Sequence, residues 1–344
     1  MKIGIIGLPQ AGKTTIFRAA AGKYAGHQEE KGGIARAVVK VPEERLEVLQ
    51  QIFASARKTP ATVQYLDLSF DLREREGRSK ELERLLNELK PADALIMVIR
   101  NFELAGLPPS PQEDLEQLHQ EMILADLAIV ERRLERLEKE ARKGGQVDPK
   151  ELEELREAKS LLEEGRPLRV SPSLRKSPRL KGYAFLSIKP LLVVLNLGEE
   201  DEPQPLKLPE QAELVAIKGR LEADLAELPE EEARVFREEY RLSQPALPLL
   251  IKKSFAILDL ICFFTGGPKE VRAWPVPRGT TAQKAAGVIH SDMERGFIRA
   301  EVIPFEELAA LGSYQAAQKA GKVRLEGKDY VVQDGDVIIF RFSV

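Results

Sequence analysis

The sequence contains one cysteine and three histidines among 344 residues. No disulfide can therefore form within the chain, and the histidines are too scattered to build a His/Cys metal cluster. Cys262 lies in the apolar run 257–264, so we expect a buried hydrophobic side chain rather than a nucleophile. No apolar run is long enough to span a bilayer, and a strand-like pattern begins at residue 2. These absences predict a cytoplasmic protein with no membrane partner.

The chain also lacks an excess of either charge. Its 52 Lys and Arg residues face 55 Asp and Glu residues, which gives a formal net charge of −3. This balance excludes a globally basic nucleic-acid-binding protein but not a local basic patch, and we expect no DNA partner. The length is sufficient for two or three domains.

Strand-like and helix-like segments alternate through the first part of the chain. Helices are predicted after Thr14 and over residues 43–56. The alternation favours an α/β fold in which helices cover a parallel sheet. Its strands are predicted at Lys2–Ile6, Ala37–Val41, Thr62–Leu68, Ala94–Ile99, Pro190–Leu195 and Ala212–Ile217.

Residues 110–165 have a different pattern, that of an antiparallel helical hairpin inserted into the sheet domain. Leu127, Val130 and Leu134 are spaced by three and four, with charged residues between them, which is the spacing of a coiled-coil seam. Gly144-Gly145 interrupts the pattern, and Asp148-Pro149 then provides an N-cap and a proline at the first helical position.

The last part of the chain returns to strands. Helices are predicted near residues 221–228 and 246–261. Beyond them, strands are predicted at 270–275, 297–303, 330–332 and 337–342, with a helix over 281–291. This order predicts a small α+β domain of the β-grasp type.

The first strand leads directly into a glycine-rich loop and then a helix. The pattern G-x-x-x-x-G-K-T allows backbone N–H groups to converge on phosphate oxygens, and the helix adds its positive end. Lys13 is predicted to reach the β- and γ-phosphates. The alternative is a merely structural glycine turn. The predicted phosphate-binding residues are Gly7, Pro9, Gln10, Ala11, Gly12, Lys13, Thr14 and Thr15.

A magnesium ion normally accompanies such a loop. The Thr14 hydroxyl is its predicted first protein ligand, and Asp67, in the segment TVQYLDLSF, is the predicted second contact. An aspartate in this place is by itself more often a turn residue or a helix cap. Its combination with the glycine-rich loop favours the metal interpretation.

The segment KPLLVVLNLGEED carries an N-x-x-E pattern where guanine-specific relatives of this fold have N-K-x-D. Together with the tail KEVRAWPVPRGTTAQKAAGVIHSDMERGFIRAEVI and the segment EMILADLAIVERRLERLEKEARKGG, it resembles the YchF family, the bacterial Obg-like ATPases. The resemblance covers almost the whole chain. It implies binding of ATP at least as well as GTP, with Mg²⁺, and association with ribosomes or ribosomal RNA. The base-binding residues that it implies are Asn196, Leu197, Glu199, Lys218 and Gly219.

The same resemblance implies three domains. Residues 1–108 and 185–264 are predicted to form the nucleotide-binding domain. Residues 109–184 are predicted to form the inserted coiled-coil arm and a connector, and residues 265–344 a TGS domain.

Three elements that support hydrolysis in this family depart from its pattern. No threonine occurs between Thr15 and Thr59, where the first switch should supply one to magnesium. The D-x-x-G turn that begins at Asp67 has Phe70 in place of glycine, and Asp71 follows it. The loop that backs the base reads Lys218-Gly219-Arg220 instead of S-A-K. We therefore expect nucleotide binding with weak hydrolysis, unless other residues substitute for these.

Residues 165–198 contain no acidic residue. We expect this basic connector to contact the phosphate backbone of RNA. The alternative is a solvated, partly disordered linker. The candidate RNA-contacting residues are Arg166, Arg169, Arg175, Lys176, Arg179 and Lys181.

The resulting prediction is a nucleotide-binding regulator associated with translation. Two alternatives stay open from the sequence. One is a nucleotide-binding scaffold without catalytic activity, and the other is a competent NTPase that the ribosome activates.

Overall fold

The computed structural model describes residues 1–31, 34–68, 88–239 and 246–343. Their contacts divide the chain into two compact units, one of residues 1–39 and 64–250 and the other of residues 40–63 and 251–344. Compared with the predicted domains, the second unit additionally takes in residues 40–63 and 251–264. Residues 40–63 belong to the second unit because Lys58–Thr59 pair in parallel with Val271–Arg272.

Strands of the described residues form two sheets. They are β1 Lys2–Gly7, β2 Ala25–Lys31, β3 Ile34–Lys40, β4 Lys58–Thr59, β5 Thr62–Leu68, β6 Ala94–Asn101, β7 Leu191–Leu197, β8 Ala212–Ile217, β9 Leu260–Gly266, β10 Val271–Pro277, β11 Phe297–Pro304, β12 Arg324–Glu326 and β13 Asp336–Phe342.

Helices connect these strands and form the arm. They are α1 Lys13–Tyr24, α2 Arg45–Ile52, α3 Pro111–Arg142, α4 Pro149–Glu163, α5 Pro172–Lys176, α6 Gly219–Glu227, α7 Glu230–Glu239, α8 Ala246–Ala256, α9 Ala282–Ile289, α10 Ser291–Arg295, α11 Phe305–Leu311 and α12 Tyr314–Lys319, with 3₁₀ turns at Leu168–Val170 and Leu180–Tyr183.

The sheet of the first unit has the order β2-β3-β5-β1-β6-β7-β8. Strand β1 lies between β5 and β6 and is parallel to both, and β6, β7 and β8 continue in parallel. Only the β2–β3 pair at the edge is antiparallel among the pairings described. The predicted α/β fold with a parallel-type sheet is thereby confirmed, and the carboxyl ends of β1, β6 and β7 meet at one edge of the sheet.

Helices α3 and α4 form the predicted hairpin. Each begins with a proline in its first turn, and the Asp148 side chain accepts a hydrogen bond from the Lys150 N–H at the start of α4. The apolar seam of α3 is buried against that of α4, as the spacing predicted. Its buried members are Val130, Leu134, Leu137, Leu155, Ala158 and Leu162.

The basic connector folds onto this hairpin. Leu168, Leu174 and Leu180, one from each of its short helices, are buried in the same hydrophobic core as the hairpin seam. The alternative of a partly disordered linker is therefore wrong. A count of charged residues does not reveal these evenly spaced leucines, whose apolar contacts hold the segment on the hairpin.

The second unit contains a six-stranded sheet of order β12-β11-β13-β9-β10-β4, with helices packed on it. Its α+β character was predicted, but two details were wrong. The helix predicted over 246–261 ends at Ala256, because Asp259 adopts a left-handed backbone with φ 54° and strand β9 follows. In the predicted strand 330–332, Val331 forms only an isolated bridge with Thr281.

Cys262 lies on β9 and is buried, as its apolar surroundings predicted. Burial raises the pKa of its thiol to about 12. No helix within the described ranges combines the length and the apolar character needed to cross a bilayer.

Candidate nucleotide site

The glycine-rich loop joins the carboxyl end of β1 to the amino end of α1. A Cβ atom at Gly7 would lie 2.5 Å from the Val98 carbonyl oxygen. Gly12 has φ +94°, and a Cβ atom there would lie 2.0 Å from Asn196 Nδ2. Both positions require glycine for steric reasons. Gln10 has a left-handed φ of 62°, a strained conformation for a residue with a side chain and one that concentrates at ligand-binding loops.

Lys13 is the first residue of α1 and lies under the loop. Its Nζ donates hydrogen bonds to the carbonyl oxygens of Gly7 and Leu8 at 3.0 and 2.9 Å. The side chain is buried, which lowers its pKa, while the Asp67 carboxylate acts in the opposite direction. An ammonium group carries three donors, so these two bonds leave one N–H for a phosphate oxygen.

The amino end of α1 is free of carboxylates in its first turn. Its first N–H groups have no partner within the helix, so they and the helix dipole favour an anion at this point. The loop and helix together therefore have the geometry of a phosphate cradle.

Asn196 connects three segments of the site. Its Nδ2 donates to the main-chain oxygen of Ala11 at 2.9 Å, and its Oδ1 accepts from the Gly219 N–H at 3.0 Å. Asn196 is buried, so both bonds are shielded from water. The Lys218 ammonium in turn donates to the Glu199 main-chain oxygen. The five residues predicted to surround the base are thus brought to one end of the sheet, with Leu197 beside Asn196 on β7.

A cavity of about 780 Å³ opens above these segments. This volume is within the range of pockets for nucleotide-sized ligands. Six predicted phosphate-binding residues line one part of it, namely Pro9, Gln10, Gly12, Lys13, Thr14 and Thr15. Three predicted base-binding residues also line it, namely Asn196, Leu197 and Glu199. Gly7, Ala11, Lys218 and Gly219 contribute through the contacts described above rather than by lining the cavity.

Sequence reasoning missed part of the lining. Phe102, Glu103 and Leu104 come from the loop after β6, and the other missed residues are Gly198, Glu200, Asp201 and Arg220. Arg100 holds the β6 loop by donating to the carbonyl oxygens of Phe102 and Leu107 at 2.7 and 3.3 Å. The available signal was positional, because ligands of parallel sheets bind beyond the carboxyl ends of the strands.

The predicted magnesium ligands fit a hard cation. Thr14 lines the cavity, and Asp67 is fully buried on β5, where its backbone pairs with Ile5 of β1. A hydroxyl and a carboxylate are the oxygen donors that Mg²⁺ takes beside phosphate. Asp67 lies within strand β5, and the residues that it would serve as a turn or helix cap, from 69 onward, lie outside the described residues.

The switch residues are described only in part. The segment without threonine forms the antiparallel strands β2 and β3, paired from Ala25 with Val39 to Lys31 with Ile34. Ser69, Phe70 and Asp71 lie outside the described residues.

The six basic residues of the connector have unequal surroundings. Arg169 is only 2% exposed and donates to the main-chain oxygens of Glu210 and Ser187 at 2.9 and 3.4 Å. Burial lowers its pKa to about 10. A guanidinium held inside in this way cannot reach an RNA backbone, so the prediction for Arg169 is wrong.

The other connector cations are nearer to solvent. Arg166 forms a two-bond ion pair with Glu210, and Arg179 pairs with Asp148 and Glu154. Arg175, Lys176 and Lys181 are exposed. These last three therefore present the connector's charge outward.

Three comparisons place this architecture among known proteins. The family model YchF-GTPase_C, described as "Protein of unknown function (DUF933)", matches residues 260–343. The "Ribosome-binding ATPase YchF" of Bacillus subtilis is 36% identical over 99% of this chain and 99% of its own length. The "Obg-like ATPase 1" of Bos taurus is 33% identical over 100% of this chain and 92% of its own.

Structural comparison agrees with the sequence relatives. The "Schizosaccharomyces pombe YchF GTPase" superposes with a TM-score of 0.85 at 26% identity and covers 99% of this chain and 97% of that one. The Escherichia coli O157:H7 "Ribosome-binding ATPase YchF" is likewise 36% identical over 100% of the chain. Full-length identity of this size shows that the chain belongs to the YchF family.

Proposed function

We propose that this protein binds ATP at least as tightly as GTP, in each case together with Mg²⁺. We further propose that the isolated protein hydrolyses the bound nucleotide slowly and that it acts as a regulator on the ribosome. The observation that supports nucleotide binding best is the 780 Å³ cavity in which Lys13, Thr14 and Asn196 converge. The names of the bacterial relatives, "Ribosome-binding ATPase YchF", support the ribosome as partner.

Phosphate binding follows from the charges of the cradle. Lys13 is already fixed by two carbonyl oxygens, so it reaches a phosphate without losing further side-chain entropy. Thr14 and Asp67 would hold the magnesium ion, which neutralises phosphate charge when bound. The α1 amino end contributes N–H donors to the same oxygens.

The base end of the cavity lacks the complete N-K-x-D pattern that selects guanine in related proteins. Leu197 has no cationic stem to lie over the base, and it is mostly buried in the core of the sheet. Glu199 stands three residues after Asn196, at the position of the aspartate in N-K-x-D, but its side chain is one methylene longer. Phe102 adds an aromatic surface that any base can stack on. We therefore expect ATP to bind at least as tightly as GTP.

Slow hydrolysis follows from the missing switch chemistry. The first-switch segment has no threonine to complete the magnesium shell, and Phe70 replaces the glycine whose amide contacts the γ-phosphate in related enzymes. P-loop switches without an arginine finger turn over at or below the order of 10⁻³ s⁻¹. We expect the isolated protein to fall in that range.

Three measurements on the full-length protein test this function. The nucleotide that co-purifies is identified by mass spectrometry, and Mg·ATP and Mg·GTP affinities are compared by calorimetry. A guanine preference above about tenfold, roughly 1.4 kcal/mol, would contradict the proposed base choice. Phosphate release is then measured with and without ribosomes.

The turnover measurements separate the three possible roles. Turnover on the order of 1 s⁻¹ without ribosomes contradicts slow hydrolysis. Slow turnover that ribosomes accelerate strongly favours the competent NTPase. Nucleotide binding with no turnover in either condition favours the scaffold.

A further inference from the structure

Helix α3 packs on two different cores along its length. Leu115, Leu118 and Met122 belong to the core of the sheet, together with residues of β6 and β7. Val130 and Leu134, further along, belong to the core of the arm. The helix therefore passes from the sheet to the arm near its middle, at residues 123–129.

Asp126 lies at this transition and is fully buried. Its Oδ1 accepts a hydrogen bond from the Leu186 N–H at 2.9 Å, and its Oδ2 accepts one from the Ser187 N–H at 2.7 Å. A buried carboxylate is costly unless its oxygens are satisfied, and both of these oxygens are. An apolar residue would fill the space more cheaply, so the carboxylate fixes a specific position of α3 against residues 186–187.

Residues 186–187 are themselves attached to the sheet and to the segment that follows the second helix of the arm. Arg169, which follows α4, donates to the Ser187 carbonyl oxygen. Two residues later, Lys189 is buried and donates through Nζ to the carbonyl oxygens of Lys90 and Ala92, just before β6. Both sides of the arm therefore join the sheet at one buried polar cluster of Asp126, Arg169, Ser187 and Lys189.

Strand β7 leads from this cluster to the nucleotide cavity. It begins at Leu191, and all seven of its residues are buried between β6 and β8. Asn196, near its other end, holds the phosphate loop through Ala11. Because close-packed interiors transmit strain, a shift at residues 186–189 would be passed along β7 towards Asn196.

We propose that Asp126 is the positioning residue that couples the arm to the nucleotide cavity, so that a partner bound to the arm changes the affinity for nucleotide through β7. The proposal rests on the proposed nucleotide-binding function. About 16 residues of α3 extend beyond Asp126, a lever of roughly 24 Å at 1.5 Å per residue. By thermodynamic reciprocity, nucleotide bound in the cavity also changes the affinity for that partner.

The experiment compares full-length wild type with Asp126→Asn, which keeps the side-chain volume and removes the carboxylate. Glu138→Gln is the matched control, because it makes the same charge change on an exposed position of the same helix. Mg·ATP affinity is measured by calorimetry with and without purified bacterial ribosomes. Amide hydrogen exchange at Leu186 and Ser187 is measured with and without Mg·ATP.

In wild type and Glu138→Gln, ribosomes should change the Mg·ATP affinity at least fivefold, within the usual range of coupling between sites. Asp126→Asn should reduce this factor below two, while its affinity without ribosomes stays within about threefold of wild type. Mg·ATP should also change the exchange of the two amides in wild type at least threefold. The exchange measurement uses only wild type, so it tests the proposal even if Asp126→Asn does not fold.

Coupling retained by Asp126→Asn, a wild type without coupling, or amides that do not respond to nucleotide would each overturn the proposal. Failure of the proposed function looks different, because wild type would then bind no Mg·ATP or no ribosomes at all. A purely structural role for Asp126 would lower thermal stability and leave the coupling factor unchanged.

Discussion

Asn196 donates through Nδ2 to the main-chain oxygen of Ala11 at 2.9 Å, across 185 positions of sequence. This bond joins the strand that we propose faces the base to the loop that we propose faces the phosphates. The other end of the same amide accepts from Gly219 at 3.0 Å. One buried side chain thereby sets the distance between the two ends of the nucleotide cavity.

Replacing Asn196 tests this arrangement. Asn196→Ala leaves the Ala11 carbonyl and the Gly219 N–H without their buried partner, at roughly 1–3 kcal/mol each. We expect Mg·ATP affinity to fall at least tenfold by calorimetry. Asn196→Asp keeps an acceptor for Gly219 but places a buried carboxylate oxygen against the Ala11 carbonyl oxygen, so its affinity should fall at least as far as that of Asn196→Ala. Wild-type affinity in Asn196→Ala would show that the loop holds its shape unaided.

Sequence predicted the phosphate half of the site better than the base half, for a physical reason. The cradle is one continuous segment, so spacing alone reveals it. Phe102 lies in the loop after β6 and Arg220 in the first turn of α6, and only the strand order brings these two segments together at the cavity. Arg169 shows the opposite limit, because a count of basic residues does not reveal that one of them is buried. Leucine spacing in the connector was the signal that could have shown this.

Lys13→Ala should weaken Mg·ATP binding by at least roughly 100-fold. The phosphate charge would lose its buried cation, and charge-assisted hydrogen bonds are among the strongest in proteins. Calorimetry measures the loss. Arg18→Ala, on the exposed side of the same helix, is the matched control and should bind as wild type does. Equal affinity in Lys13→Ala and wild type would contradict the proposal that this loop binds phosphate.

Cys262 should react slowly with a maleimide in the native protein. Only the thiolate attacks, and a buried thiol with a pKa of about 12 is almost entirely protonated at pH 8. We expect labelling at least roughly 100-fold slower than in guanidinium, where the thiol returns to a pKa near 8.5. This is the single cysteine of the chain, so mass spectrometry reports it without ambiguity. Native labelling at the unfolded rate contradicts its placement on β9.

Burial raises the pKa of Asp126 to about 6, against about 3.9 in an unfolded chain. Between these values the folded protein holds a proton that the unfolded chain has released. The contribution of Asp126 to stability therefore rises as the pH falls from 7 to 4 and is lost as the pH rises through 6. The change is on the order of 3 kcal/mol, at about 1.4 kcal/mol per pKa unit.

Denaturant unfolding of wild type and Asp126→Asn across this pH range measures the effect. Subtracting the two curves removes groups common to both proteins, including His119, whose pKa is lowered to about 4 by burial and by Arg169. As the pH falls from 7 to 4, the free energy of unfolding of wild type should rise relative to that of Asp126→Asn. A difference that is flat from pH 7 to 4 shows that Asp126 titrates normally.

The connector's outward cations give the last prediction. Arg179 is unsuitable for charge reversal, because a glutamate there would repel Asp148 and Glu154, its present partners at 2.8 and 3.3 Å. Arg175, Lys176 and Lys181 are exposed, and their replacement by Glu breaks no ion pair among the residues that the structure describes. We expect ribosome co-sedimentation to weaken and its salt dependence to flatten, since each lost phosphate contact removes roughly 0.7–0.9 from the logarithmic slope.

Nucleotide affinity should be unchanged in this triple variant, because none of the three residues lines the cavity. Reversal of Arg132, Arg136 and Arg142 is the matched comparison, with the same charge change on exposed positions of α3. If only this second variant loses the salt slope, the RNA-facing surface lies on the arm itself. Deleting residues 265–344 from wild type should weaken sedimentation separately. If neither charge reversal alters the slope, the connector's charge only solvates the arm, and the partner surface belongs to the carboxyl-terminal residues.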